Sequence, residues 1–435
     1  MKKRWFRTIA ALAFASFVLS GCQSTPAPDT LQTQPEKKDK IVLTLFMNIE
    51  NNRTESVSIY RDFISEFNAG SDTIEVRVDG LPTADGYNEA LERRLDDGKN
   101  VDLFVVNADS VKQLYSKGYF YDLSEQPVFK QLNDAAKQQA VVNGTAYCVP
   151  TKMTAYGIYV NVGLLRQYGL NPPQNKDEFL HCCQVLKENG ITPLSINRWY
   201  AMTAITMARG LYPVYQAENR DEIISGMNNG SVKIGEYMLE GFRFFAELVE
   251  HGYYGDDLTV EGVDSIKANT SDWEDFKTGK TAFVVFPSGV EKDIEEQVPD
   301  MEYIQQGFPV LADGTVSLPS ISSRLCVNAK GEHVEEALEV LEYLTTRVVK
   351  EGLSEEKGFL SVFDEQKIDV KPEIKALYED AVSPGQIPIE DMSLCFDYWG
   401  TTRTLCLDII GGMTPEEAAE EYNRIQTEKV RVNVP

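Results

Sequence analysis

Histidine is scarce in this sequence, with three residues, His181, His251 and His333, among 435 positions. So few imidazoles argue against a histidine-rich metal site or a catalytic centre with several histidines. Basic residues are also in the minority, because 67 acidic and 42 basic side chains give a formal net charge of −25. A nucleic-acid-binding protein needs a basic surface, which this composition does not supply. The GxSxG, HExxH and P-loop motifs are absent as well, so we expect no metal, no cofactor and no nucleic-acid partner.

Cysteine occurs seven times, without a CxxC pair. Apart from Cys22, the cysteines are Cys148, Cys182, Cys183, Cys326, Cys395 and Cys406. Cys395 and Cys406 are predicted to share one helix, which separates them by about 16 Å, too far for a disulfide bond. His181 stands beside Cys182 and Cys183, but neighbours on a helix point about 100° apart and do not converge on one ion. The sequence therefore predicts that most of these thiols are free and buried.

The N-terminus has the pattern of a processing signal. A basic start precedes an apolar run from Ile9 to Leu19 that is too short to span a membrane as a mature helix. The next residues, Leu19-Ser20-Gly21-Cys22, resemble the lipobox of bacterial lipoproteins, in which the cysteine becomes the lipidated first residue. The alternative is an ordinary secretory signal with a chance cysteine. We predict a signal peptide over residues 1–21 and lipidation of Cys22.

Residues 22–40 are predicted to form a lipidated tether. The segment is rich in Pro, Thr, Gln and Lys and has almost no large apolar residue. Its 18 residues after the cysteine could reach about 60 Å when extended. No second long apolar segment follows in the sequence. The sequence therefore predicts an extracytoplasmic body that is anchored to the cell membrane by its lipidated N-terminal cysteine.

The body of the chain alternates segments with strand and helix periodicity. In its first part we expect strands at 41–47, 74–78 and 101–106, and helices at 57–67 and 87–97. After Pro150 we expect short strands at 158–160 and 281–286, and helices at 176–188, 201–209, 234–250, 263–278 and 334–350. Strand segments broken at Pro319 are expected in 316–327, and two helices broken at Gly411-Gly412 in 390–429. Repeated strand–helix–strand units indicate an α/β protein with right-handed crossovers.

Several stretches resemble one protein family. NGTAYCVP at 143–150 is similar to a turn and strand that enter the family's first hinge crossover, and GIYVN at 157–161 opens a second similar segment. FKTGKTA at 276–282 matches an F-x-x-GK-x-A element before a strand, and GGMTPEEA at 411–418 resembles the final turn and helix start. In this order, the stretches resemble the family-1 extracellular solute-binding proteins of ABC importers, the group that includes maltose-binding protein.

This resemblance implies a two-lobed, periplasmic-binding-protein-like α/β fold with a hinge and an inter-lobe ligand cleft. We expect lobe one at 41–151 plus 322–364, and lobe two at 152–321 plus 365–435. The resemblance also implies a binding subunit and not an enzyme, which passes a small solute to an ABC permease in the membrane. We expect this subunit to be a monomer and the solute to be a sugar or oligosaccharide. Two alternatives stay open, namely a surface-anchored glycan hydrolase and an adhesin or scaffold lipoprotein without a small ligand.

Aromatic residues are the first candidates for contacts with a sugar, because a sugar offers apolar C–H faces to a ring and hydroxyls to polar groups. Trp199 and Tyr200 follow a strand expected at 192–194, and ligands bind at the carboxyl ends of such strands. Trp399 starts a predicted helix at a position that resembles the family's C-terminal aromatic residue. A place in the core is the alternative for Trp199 and Trp399. For Trp273 the core is the favoured place, because it has helical spacing to a nearby phenylalanine.

Polar residues follow two of the expected strands in the first part of the chain. Asn48 and Glu50 come after the first strand, and Asn107 and Asp109 come after the third. We expect these side chains to contact the ligand, because both positions are carboxyl ends of strands. The alternative is helix capping, for which Asn and Asp are equally well suited.

Overall fold

The computed structural model describes residues 40–48, 55–81, 86–196, 199–265, 270–347, 359–364, 370–383 and 385–433. All of them belong to one structural unit that begins at Lys40. The predicted signal peptide, Cys22 and the tether up to residue 39 lie outside the described residues. Within the described ranges, no helix is both long enough and apolar enough to cross a membrane.

Strands and helices alternate along the chain, as the sequence predicts. The strands are β1 (Ile41–Asn48), β2 (Ile74–Leu81), β3 (Leu103–Val106), β4 (Val141–Val142), β5 (Thr145–Ala146), β6 (Val149–Asn161), β7 (Thr192–Leu194), β8 (Thr281–Pro287), β9 (Tyr303–Gln306) and β10 (Leu318–Val327). The α-helices are α1 (Glu55–Gly70), α2 (Tyr87–Asp96), α3 (Ala108–Leu114), α4 (Pro127–Lys130), α5 (Asp134–Gln138), α6 (Val162–Gln167), α7 (Lys176–Glu188), α8 (Tyr200–Tyr215), α9 (Arg220–Asn229), α10 (Ile234–Glu250), α11 (Val260–Ser265), α12 (Thr270–Lys277), α13 (Glu291–Gln297), α14 (Val334–Arg347), α15 (Lys375–Ala381), α16 (Tyr398–Ile410) and α17 (Pro415–Asn433).

The main sheet of the described unit has the strand order β2-β1-β3-β10-β6-β8-β7, and β9 also pairs with β6. β1 is parallel to β2 and to β3, as expected for strands that are joined by helices. β10 is antiparallel to β3 on one side and to β6 on the other, while β6 is antiparallel to β8. β6 and β10 are therefore the long strands through which the first group of strands is joined to the second.

Both of these crossing strands differ from the sequence prediction. β6 has 13 residues, whereas the sequence predicts a strand only over 158–160. Its first half alternates buried and half-exposed positions and includes Pro150 and Lys152, so it has a weaker apolar signal than the second half. β10 is continuous through Pro319, where the sequence predicts a break. Pro319 lies near the start of the strand, and its carbonyl accepts the N–H of Ile389 at 3.0 Å, so proline is tolerated there.

Most of the buried apolar side chains in the described residues form a first core and a second core, and the others form two smaller clusters. The first core combines residues between 43 and 155 with residues between 321 and 363, and includes Leu377 and Ala381 of α15. The second core combines residues between 158 and 318 with residues between 387 and 422. Each core is therefore assembled from stretches that are far apart in the sequence. The residue-level lobe boundaries given above remain predictions.

Several helices match their predicted extents and others do not. α7 and α10 have the expected bounds of 176–188 and 234–250. α8 continues to Tyr215, beyond the expected end at 209, although it contains Pro213. Most of its side chains are buried against the second core, and this packing outweighs the poor helix propensity of its last turns. Of the single helix expected over 263–278, α11 and α12 cover residues up to Ser265 and from Thr270 to Lys277, and residues 266–269 lie outside the described residues.

Glycine allows α10 to lie very close to two neighbouring helices. A Cβ atom on Gly241 would lie 2.2 Å from the carbonyl oxygen of Thr206 in α8. A Cβ atom on Gly235 would lie 2.0 Å from the carbonyl oxygen of Ala419 in α17. Any larger residue at these positions would push the helix backbones apart.

Of the six described cysteines, five are buried and Cys395 is half-exposed. The prediction that Cys395 and Cys406 share a helix is wrong, because α16 begins only at Tyr398. Asp397 caps this helix, since its Oδ1 atom accepts the N–H of Gly400 at 2.8 Å. Cys406 is buried with its sulfur 3.4 Å from the hydroxyl of Thr206.

Candidate ligand-binding site

A cavity of about 490 Å³ lies where the crossing strands meet residues from both halves of the chain. Tyr156 of β6 and Ser320 of β10 form its floor, and Ala108, the first residue of α3, borders it at the carboxyl end of β3. The remaining wall comes from α8 and from the segment before α16. The full lining is Ala108, Tyr156, Tyr200, Ser320, Ile389, Glu390, Cys395, Phe396, Asp397, Tyr398 and Trp399.

Three half-buried aromatic residues, Tyr156, Tyr200 and Trp399, form an aromatic wall in this cavity. The rings of Tyr156 and Tyr200 are stacked, with centroids 5.4 Å apart and an interplanar angle of 22°. The ring of Trp399 is tilted against both, at 6.4 Å from Tyr156 and 6.0 Å from Tyr200. Burial, followed by the neighbouring Tyr200, raises the pKa of Tyr156. Its hydroxyl therefore stays protonated at neutral pH and offers a ligand both a donor and an acceptor.

Glu390 is one of two acidic residues in the cavity lining, with Asp397, and its side chain lies opposite a buried cation. Its Oε2 atom lies 3.9 Å from Nη1 of Arg324, and its side chain is 45% exposed whereas that of Arg324 is fully buried. Two hydrogen bonds fix the guanidinium of Arg324. Its Nε donates to the carbonyl of Gln139 at 3.1 Å, and its Nη1 donates to the carbonyl of Ile321 at 2.9 Å. The carboxylate oxygens of Glu390 can accept hydrogen bonds from ligand hydroxyls.

The segment that carries Glu390 is fixed by a buried hydrogen-bond network. Asp391 is buried and accepts the hydroxyl of Tyr215 at 2.7 Å and the N–H of Ser393 at 2.7 Å. Asn228 of α9 donates to the carbonyl of Ser393 at 2.6 Å. The hydroxyl of Tyr398 donates to a carbonyl of the same segment, that of Pro388, at 2.8 Å. Groups that are held in this way need little reordering when a ligand binds.

The sequence model of the family described as bacterial extracellular solute-binding protein matches residues 51–351. The chain belongs to this family. A relative named multiple sugar-binding protein, from Streptococcus mutans, is 22% identical over 357 residues, which span 79% of each chain. Membership of an extracellular family places this solute-binding protein outside the cytoplasm.

Two solved structures share the fold of this solute-binding protein. A family 1 extracellular solute-binding protein from Bifidobacterium longum subsp. infantis has a TM-score of 0.73 at 15% identity, and the match covers 89% of this chain and 99% of that chain. A sugar transporter from Bacillus licheniformis, in complex with stachyose, has a TM-score of 0.59 at 19% identity, with 89% and 100% coverage. The two-lobed α/β fold expected from the sequence is thereby confirmed.

Of the aromatic residues that the sequence nominates, Tyr200 and Trp399 line the cavity of the solute-binding protein and Trp199 does not. Trp199 directly precedes α8, and the guanidinium of Arg403 lies over its ring at 4.6 Å from the centroid. Trp273 is buried beside Tyr159, as predicted for a core residue. Ligand contacts of Trp199, Tyr200 and Trp399 remain predictions.

Of the polar residues nominated in the first part of the chain, the two whose side chains the structure describes, Asn48 and Asn107, are not in the described lining of the cavity. Asn107 caps α3, since its Oδ1 atom accepts the N–H of Ser110 at 2.9 Å and the hydroxyl of Ser110 at 2.8 Å. This geometry is that of the capping alternative, although the next residue, Ala108, borders the cavity. Asn48 ends β1 opposite Leu81. Glu50 and the side chain of Asp109 lie outside what the structure describes.

Sequence reasoning missed several lining residues, foremost Tyr156, Ser320 and Glu390. Tyr156 lies in the part of β6 for which the sequence predicts no strand, and Ser320 directly follows the break that the sequence predicts at Pro319. The two residues flank the opposed pair Ala155–Pro319 of β6 and β10. The sequence signal that was available is the alternation of polar and apolar residues in Lys152-Met153-Thr154-Ala155, which occupy half-exposed and buried positions in turn. Glu390 had no periodic signal, because it lies in an irregular segment held by side chains from other elements.

A larger cavity of about 610 Å³ lies on the other side of residues 391–393. It is bordered by charged side chains of α5 and α9, including Lys137 and Arg220, and its described lining contains no aromatic ring. Size alone does not identify a binding site, whereas apolar planes with a few converging polar groups do. The cavity with the aromatic wall is therefore the stronger candidate.

Proposed function

We propose that this protein is the lipid-anchored, extracytoplasmic binding subunit of an ABC importer for a carbohydrate. The observation that supports the proposal most is the aromatic wall of Tyr156, Tyr200 and Trp399 in a cavity that also holds Glu390. Both halves of the chain contribute to this cavity, as required of a cleft that closes around its ligand.

The chemistry of the cavity suits a sugar. A pyranose has apolar C–H faces that pack on aromatic rings, and the tilt of Trp399 against the stacked tyrosines provides planes in two orientations. Sugar hydroxyls need donors and acceptors, which the hydroxyls of Tyr156 and Ser320 and the carboxylate of Glu390 supply. A cavity of about 490 Å³ lies within the range of roughly 300–1,000 Å³ that small-molecule sites occupy.

The comparisons add support for the carbohydrate. The Streptococcus mutans relative is named for binding multiple sugars, and the Bacillus licheniformis structure holds stachyose. We therefore take an oligosaccharide as the ligand class of this chain. Binding without chemistry is the role that this family description carries, so we propose no catalytic step.

Titration calorimetry with the soluble body of the protein tests the ligand class. Stachyose and a panel of shorter and longer oligosaccharides are compared with peptides and polyamines of similar size. We expect saturable binding to at least one oligosaccharide, with no release of smaller sugars on long incubation. Release of product would support the hydrolase alternative, and binding to peptides alone, or to none of the probes, would contradict the carbohydrate proposal.

Delivery to a membrane permease requires that the binding subunit stay near the membrane. We propose that Cys22 carries the lipid and that the tether up to Lys40 lets the body reach the transporter. A Cys22→Ala variant should lose acyl labelling and leave the membrane fraction, while its sugar binding stays unchanged. A Cys22→Ala protein that is still acylated would show that the anchor is elsewhere.

A further inference from the structure

Two cysteines face each other where the crossing strands meet the first group of strands. β10 pairs with β6 in antiparallel register, with Arg324 opposite Pro150 and Leu325 opposite Val149. The next step of the same register brings Cys326 opposite Cys148, the residue that immediately precedes β6. Directly opposed residues of an antiparallel pair have Cβ atoms about 4.5–5.5 Å apart. A disulfide bond needs about 3.5–4.5 Å, so a small local adjustment brings the two sulfurs together.

Both thiols are completely buried in the same apolar cluster, which also contains Phe104 and Phe120. The sulfur of Cys148 lies 3.7 Å from the carbonyl oxygen of Ala140. Burial, followed by the neighbouring thiol of Cys148, raises the pKa of Cys326. The two sulfurs are therefore close neighbours in a water-free site and not merely adjacent along the sheet.

The other described cysteines lie in different surroundings. Cys182 and Cys183 are adjacent on α7, where their side chains point in different directions. Cys406 contacts the hydroxyl of Thr206, and Cys395 lies against the backbone of Asn228. Among the described residues, the register thus singles out Cys148 and Cys326 as an opposed pair.

We infer that Cys148 and Cys326 are joined by a disulfide bond in the exported protein. The family is extracellular, and thiols that reach an oxidising compartment next to each other are readily paired. The oxidant is a disulfide-carrying thiol oxidoreductase, or oxidised glutathione in the test tube. One cysteine thiolate attacks the oxidant's disulfide and releases one thiol, and the second cysteine then attacks the mixed disulfide and releases the other. Two protein thiols thereby lose two hydrogens, and one oxidant disulfide becomes two thiols.

The position of the disulfide bond determines when it forms during folding and how it affects the stability of the protein. Because both sulfurs are buried in the folded protein, exchange takes place before β10 is fully seated between β3 and β6. The bond would close a loop over residues 148–326, and such a long loop restricts the unfolded chain strongly. It would fasten β6 to β10 beside the first core without touching the cavity of the aromatic wall.

Peptide mapping tests this pairing on the full-length protein after export and, separately, on protein refolded with oxidised glutathione. Alkylation in denaturant without a reductant should label Cys182, Cys183, Cys395 and Cys406 and leave one cross-linked peptide pair that contains Cys148 and Cys326. Prior reduction should free both residues for alkylation and lower the melting temperature. Labelling of all six cysteines in both preparations, or a cross-link between other cysteines, would overturn the inference.

A matched pair of variants separates the bond from general effects of removing a buried thiol. Cys148→Ala should abolish the cross-linked peptide and make the melting temperature insensitive to a reductant. Cys406→Ala removes an equally buried thiol that has no opposed cysteine, and should retain both the cross-link and the sensitivity to a reductant. A melting temperature that responds to reductant equally in Cys148→Ala and Cys406→Ala would contradict the inference. The peptide map of the unmodified protein decides the question even if Cys148→Ala does not fold.

Discussion

Replacing Trp399 by alanine should weaken ligand binding more than it weakens the fold. An indole side chain has up to about 250 Å² of surface. Because the ring of Trp399 is half-buried, about a quarter of this surface, about 60 Å², faces the cavity. Covering that area with a sugar at about 25 cal/mol per Å² contributes about 1.5 kcal/mol. Trp399→Ala should therefore raise the dissociation constant about tenfold. The lost packing on Tyr156 and Tyr200 should lower the free energy of unfolding by roughly 2 kcal/mol, below the cost for a fully buried tryptophan.

The assay combines calorimetric titration of the oligosaccharide that binds with urea unfolding of the same protein sample. Trp399→Phe keeps an aromatic plane and should retain most of the affinity. Trp273→Phe is the matched control, because Trp273 is buried beside Tyr159 outside the cavity and should affect stability alone. Quenching of tryptophan emission by the ligand should also disappear in Trp399→Phe and persist in Trp273→Phe. If Trp399→Ala stays folded and binds with unchanged affinity, the aromatic wall is not the binding surface.

Three further predictions concern stability and motion. Gly241→Ala would place a Cβ atom 2.2 Å from a backbone carbonyl oxygen and should lower the free energy of unfolding by about 3 kcal/mol. In the control Gly70→Ala the new Cβ atom meets nothing within 4 Å, so the free energy of unfolding should stay unchanged or rise slightly. Equal effects of the two substitutions in urea unfolding would contradict the packing argument. Burial raises the pKa of Cys406 from 9.0 to about 12. Between these two pH values the unfolded chain loses a proton that the folded protein keeps, so this group lowers the free energy of unfolding by about 1.4 kcal/mol per pH unit. Cys406→Ala should therefore reduce the loss of stability above pH 9, and an unchanged slope of stability against pH would refute the assignment. Saturating sugar should reduce the radius of gyration in small-angle scattering, because β6 and β10 join the two halves as a hinge would, and an unchanged profile would argue against closure.

Much of the fold could be predicted from the sequence where elements are strongly periodic. β1 and the helices α7 and α10 match their predicted extents closely, because each has one continuous apolar face or run. For β6 the sequence prediction misses the first half of the strand, and for β10 it includes a break that is not there, and both errors have a physical reason. Half of each strand lies where the sheet passes between two groups of strands, and there the pattern includes Pro150, Lys152 and Pro319. Pairing with neighbours on both sides, and not local propensity, makes these stretches extended.

The candidate site was only partly accessible to sequence reasoning. Tyr200 and Trp399 carry a signal, since an aromatic residue at the start of a helix after an irregular segment is a good candidate for a cleft. Glu390 carries none that is local, because its place in the cavity depends on contacts made across more than 160 residues, such as that between Tyr215 and Asp391. Asn107 illustrates the reverse case, in which a nominated ligand contact is a helix cap.

The interleaving of the two cores has a consequence for how the chain is made and exported. β10 fills the place between β3 and β6, but its residues are synthesised after the long stretch that supplies most of the second core. The first core likewise waits for α14, and the second for α16 and α17. Neither core can therefore be completed while the chain is still emerging from the ribosome N-terminus first. Because the last quarter of the chain is needed to close both cores, we expect the chain to remain without a complete core until its synthesis is almost finished, a property that suits a protein that crosses a membrane before it folds.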